Sequence, residues 1–135
     1  MTVRLTATTN ITTTARLYSP SVSQAVLADA TLLTWVVPAA GTIYLTQQFV
    51  GTHVTGAGGL EKTEVDVTKN GATILTAKTL INAAAGTAVV DGTLIGGTCA
   101  VVKGDKIAIV NDYTVDGGGG DTGAALTVSV HYQAT

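Results

Sequence analysis

Near the C-terminus, Leu126, Val128, Val130 and Tyr132 alternate with Thr127, Ser129 and His131. A period of two puts the apolar set on one face of an extended chain, so this segment reads as a half-buried β-strand. The same alternation runs through Glu64–Lys78, where Val65 and Val67 precede Lys69-Asn70-Gly71-Ala72 and Ile74 follows. Asn-Gly is a preferred centre for a two-residue type I′ turn, because both residues take positive φ there. Lys69 then pairs with Ala72 and Val67 faces Ile74, so turn chemistry and alternation specify one register.

The rest of the chain repeats this grammar. Leu32–Val37 is a short apolar run stopped by Pro38, with Ala39-Ala40-Gly41 as the turn. Thr42–Val54 is the next strand, with Ile43, Leu45 and Phe49 on one face; Gln47 breaks that face and marks a bulge or an interface. Val89–Ile95, Cys99–Val102 and Ile107–Val110 are further strands, divided by Gly96-Gly97 and by the turn Lys103-Gly104-Asp105-Lys106. Residues 22–29 fit a helical turn or a strand, with strand preferred. Gly56–Leu60, residues 83–88 and Gly117–Gly120 read as loops. At the start, Val3, Leu5 and Ala7 alternate with Arg4, Thr6 and Thr8, and the β-branched run Thr12-Thr13-Thr14 disfavours helix. Residues 1–20 are therefore an N-terminal arm or edge strand suited to docking, and residues 21–135 one domain. About eight short strands with turn signals between them and no helix predict an all-β fold, a single antiparallel β-sandwich of jelly-roll type.

Composition sharpens this picture. Charged residues make up 12% of the 135, against about 25% in an ordinary soluble domain, and mean hydropathy is +0.41. So few charges cannot supply the usual mixed ionic surface. The exterior is then expected to be covered by Thr and Gly and in part buried against other chains. Seven basic against nine acidic residues, net −2, provide no basic field for nucleic acid or an anionic membrane, so neither is an expected partner. The one cysteine, Cys99, allows no internal disulfide and reads as a small buried hydrophobe. MTVRLTATTN lacks the apolar core of a signal peptide, and no segment has the ~20 apolar residues of a membrane span; folding in a reducing cytoplasm fits.

Reactive groups are scarce. His53 and His131 belong to no motif, and the chain has no GxSxG, HExxH, CxxC or Walker sequence. We expect no enzyme, and assign no catalytic, cofactor-binding or metal-ligating residue and no cofactor. Asp112, Asp116 and Asp121 surround the glycine run without EF-hand or RTX spacing. Gly117–Gly120 leads into a strand, whereas a phosphate cradle opens a helix. Lys103-Gly104-Asp105 is a turn with glycine at positive φ. Trp35, Tyr44, Phe49, Tyr113 and Tyr132 all fall on strands and read as core or interface packing.

Taken in order, these segments resemble a β-sandwich domain recurrent in tailed-phage structural proteins. That domain carries a P-x-x-G-T-I turn, here Pro38–Ile43, and a V-D-V-x-K-N-G hairpin, here Val65–Gly71. A G-D turn (Gly104-Asp105) and a G-A-x-L-T-V strand (Gly123–Val128) complete the set. The resemblance implies a virion structural protein. A free-standing module of this size is most similar to capsid decoration, or cement, proteins. The expected partners are then the major capsid protein and the chain itself, as a homotrimer. The expected location is the capsid exterior after synthesis in the host cytoplasm, with docking through Met1–Pro20 and loops at one end of the sandwich. The same resemblance covers head-fibre, tail and baseplate proteins, where a host glycan would call on exposed aromatics such as Trp35 or Tyr113. The Thr-rich N-terminal segment has no counterpart in the family's pattern.

Overall fold

The structure is a computed structural model and describes residues 17–26, 28–52, 62–82, 88–114 and 124–135. Eleven strands lie in these residues: β1 (Leu17–Tyr18), β2 (Ser21–Val26), β3 (Ala30–Val36), β4 (Gly41–Thr52), β5 (Lys62–Lys69), β6 (Ala72–Thr73), β7 (Thr79–Asn82), β8 (Val90–Gly92), β9 (Cys99–Val101), β10 (Lys106–Thr114) and β11 (Ala124–Ala134). A 3-10 turn at Ile95–Gly97 is the sole helical element among the described residues. Of residues 22–29, open between helical turn and strand, 22–26 lie in β2. The expected loops at Gly56–Leu60 and Gly117–Gly120, most of 83–88, the strand expected around Val3, Leu5 and Ala7, and His53, Asp116 and Asp121 lie outside the described residues.

The strands form two antiparallel sheets. β1 and β2 flank β11, which pairs with β4, whose other side holds β8 and β9. In the second sheet β3 pairs with β10, β10 with β5, and the far side of β5 holds β6 and β7. Three pairs of segments share a position, so the eleven fill eight positions, the number expected from the spacing. The first position pairs with the last, the second with the last but one, and so inward to β5 with β6 and β7. That nested hairpin, folded across two facing sheets, is a jelly roll.

The inward residues follow the alternation. Leu126, Val128, Val130 and Tyr132 of β11 are buried, as are Val65 and Val67 of β5 and Ile107 and Ile109 of β10. The hairpin has the expected register, with Lys69 opposite Ala72 and the Ile74 N–H donating to the Val67 carbonyl at 2.9 Å. Asn70 and Gly71 hold φ of 51° and 87°. At one end of the sandwich the Trp35 ring meets Tyr132 edge-on, 5.1 Å between centroids, and the Tyr132 hydroxyl donates to the Ala39 carbonyl at 2.6 Å.

One strand departs from the expected face. Ile43 sits opposite Tyr132 but Leu45 opposite His131, so Tyr44 is an extra residue in β4. This β-bulge reverses the side-chain phase. Ile43 points inward, but beyond the bulge Thr46, Gln48 and Val50 are buried instead. Ile43, Leu45 and Phe49 therefore do not share a face. Gln47 lies on the outer face, donating to Asp91 Oδ1 at 2.9 Å.

Candidate docking face

The strand pairing divides the charges between the two sheets. The six strands of the first sheet carry one charged residue, Asp91 on β8. The five strands of the second carry Lys62, Glu64, Asp66 and Lys69 on β5 and Lys106 and Asp112 on β10. By alternation with the buried Val65, Val67, Ile107 and Ile109, all but Lys69 point outward. Their interactions fit a solvated face: Lys62 pairs with Glu64 at 2.9 Å, Lys78 with Asp112 at 2.8 Å, and the Thr73 hydroxyl donates to Asp66 at 2.6 Å. The Lys78 ammonium and Asp112 carboxylate hydrogen-bond directly, which raises the pKa of the first and lowers that of the second.

The outer face of the first sheet has a different chemistry. Ser21 and Ser23 on β2, Thr127, Ser129 and His131 on β11, and Leu45, Gln47 and Phe49 on β4 stand in adjacent rows. Ser23 and Thr127 share a hydrogen bond of 3.1 Å between hydroxyls. His131 is held from both sides, Nδ1 by Ser19 Oγ and Nε2 by Ser129 Oγ, each at 3.2 Å, with the Tyr44 ring 5.9 Å away. Tyr44 and Phe49 are 38% and 36% exposed. The result is a flat surface of hydroxyls, amides and aromatic rings with almost no charge, the composition of a protein-interface centre, where charge is depleted and aromatics are enriched.

The sequence motifs gather elsewhere, at the end of the sandwich holding Trp35 and Tyr132. Val37 N–H donates to the Asp105 carbonyl and Gly104 N–H to the Val37 carbonyl, both at 2.9 Å. Asp105 Oδ1 accepts from Asn70 Nδ2 at 2.8 Å and Oδ2 from Val102 N–H at 2.9 Å, while Lys69 stands 3.3 Å from Oδ2. The Val102 and Asn70 donors hold the Asp105 carboxyl below its usual pKa. The segments W-V-V-P, K-N-G and K-G-D thus interlock as one structural knot, with Gly104 at φ 94°. Val36 and Val102 protrude from this end, 55% and 60% exposed.

The remaining single residues fall into place. Cys99, expected to be buried, is only half-buried on the short strand β9, and that partial burial raises its thiol pKa. Trp35 is half-buried against the core, as is Tyr113; among the residues whose side chains are described, the exposed aromatics are Tyr44 and Phe49. The described residues contain no group of three His, Cys, Asp or Glu placed to hold a metal. Among known protein families, curated proteins and solved structures, none matches this chain.

Proposed function

We propose that the chain is a phage capsid decoration protein that docks through the outer face of its first sheet onto the assembled head. The supporting observation is the division of charge: one sheet presents Lys62, Glu64, Asp66, Lys106 and Asp112 to solvent, the other presents Asp91 alone. A soluble domain does not need two such unlike faces, whereas a protein laid flat on a shell does, one toward water and one toward protein. The resemblance of the ordered turn motifs to tailed-phage domains points to the same setting, and the jelly roll is a fold used in capsids. Fold alone carries no function; the face carries the argument. The proposed partners are the major capsid protein and further copies of this chain as a homotrimer, the place is the capsid exterior, and no catalytic step is involved.

The mechanism is mass action. A ligand that binds only the assembled shell stabilises it by RT ln(1 + [L]/Kd), and many weak contacts across a lattice add by avidity. Heads stripped of this protein rupture at lower temperature, and adding it back restores them; equal survival with and without it refutes the proposal. A glycan-binding fibre component is the second reading, favoured by exposed Tyr44 and Phe49 beside the Gln47–Asp91 pair. It predicts sugar binding that is lost in Phe49→Ala.

A further inference from the structure

The chain holds a single Asn-Gly pair, Asn70-Gly71. Asparagine is thermolabile, and most so before glycine, whose bare Cα leaves the backbone nitrogen open to the preceding carboxamide. Here that carboxamide is bound at both ends. Its Nδ2 donates to Asp105 Oδ1 at 2.8 Å, and its Oδ1 accepts the Lys106 N–H at 2.9 Å. The Asn70 N–H also donates to the Lys106 carbonyl at 2.8 Å, so backbone and side chain together clasp the first residue of β10. Asp105 is itself held by the Val102 N–H at 2.9 Å. Lys69, 3.3 Å from Asp105 Oδ2, donates to the Ala100 carbonyl at 2.8 Å. Asn70 and Gly71 are exposed, so water reaches the turn.

We propose that Asn70 is a modification site gated by this clasp: it deamidates through opening of the clasp, and the product keeps the clasp from closing again. The Gly71 nitrogen attacks Asn70 Cγ. A C–N bond forms, the Cγ–Nδ2 bond breaks, and ammonia leaves with the proton that the Gly71 nitrogen gives up. Water then opens the succinimide ring and leaves aspartate or isoaspartate at position 70, with no oxidant or reductant involved. Ring closure takes Nδ2 off Asp105 and Oδ1 off Lys106, so the reaction runs through molecules in which the turn is locally open. In the product a carboxylate oxygen stands where Nδ2 donated. It faces the Asp105 carboxylate as a like charge and has no proton to give it, which disfavours the closed turn while both are ionised. Isoaspartate also adds a backbone atom to a two-residue turn whose length sets the register. The inference concerns the knot alone and is independent of the decoration reading.

Peptide mass spectrometry follows the amide-to-acid conversion at Asn70 in the full chain at neutral pH. Folded wild type is expected to convert at least tenfold more slowly than the same chain held unfolded in urea. Asp105→Ala, with its β-type circular dichroism retained, converts severalfold faster than wild type. Ile81→Val, which loosens the core opposite Thr63 at the far end of β5, converts as wild type. Equal rates in the folded and unfolded chain overturn the inference, as does an Asp105→Ala rate no higher than that of Ile81→Val. The product is tested apart from the rate. Asn70→Asp has a lower denaturant midpoint than Asn70→Gly at neutral pH. That gap narrows in acid, because a carboxyl whose pKa is raised on folding destabilises the fold only above its unfolded pKa. An Asn70→Asp midpoint equal to or above that of Asn70→Gly, or a gap independent of pH, overturns the inference as well.

Discussion

Asn70 donates its side-chain amide to Asp105 at 2.8 Å and accepts the Lys106 N–H on its Oδ1 at 2.9 Å. One asparagine therefore shapes the β5–β6 turn by its positive φ and fastens it to the turn that opens β10. Asn70→Gly keeps the backbone and loses the bonds; Asn70→Ala loses the bonds and strains the backbone as well. The Ala variant is the less stable of the two by about 1 kcal/mol, the cost of a left-handed non-glycine residue, as read from denaturant midpoints.

The Asp105 carboxylate makes acid stability depend on this knot. Val102 N–H and Asn70 favour its charged form in the folded state, so its pKa lies lower there than in the unfolded chain, about 3.9. A carboxyl depressed on folding contributes stability above the unfolded pKa and loses it as pH falls through the folded value. Wild type is more stable than Asp105→Asn at neutral pH, and the gap narrows below about pH 4. A gap independent of pH would contradict this.

Thr63 Oγ1 is fully buried with no partner among the described residues. Replacing it with the isosteric valine removes a desolvated hydroxyl and leaves no cavity. Thr63→Val is expected to raise stability by about 1 kcal/mol. A loss of stability would show that the hydroxyl is hydrogen-bonded in solution.

The sequence made local features legible and hid the non-local ones. The Asn70-Gly71 turn and the β11 alternation are set by neighbouring residues, so their register could be read directly. The phase of β4 could not, because its bulge at Tyr44 arises against β11, some ninety positions away. The reading of Ile43, Leu45 and Phe49 as one face failed for that reason. The uncharged face was hidden by the same cause: Ser23, Thr127 and Phe49 become neighbours only when β2, β11 and β4 pair. Low charge content signalled a covered surface without saying which one. The turn motifs, prominent in the sequence, proved to bond to one another.

The central claim is that the first sheet's outer face meets the shell. Phe49→Lys places a charge on that face, whereas Thr68→Lys places one on the second sheet's already charged outer face, both by side-chain phase. An unpaired charge buried at an interface costs several kcal/mol. Cosedimentation with stripped heads is therefore expected to show Phe49→Lys bound at least tenfold more weakly than wild type and Thr68→Lys bound as wild type. Equal binding by all three proteins would contradict the account.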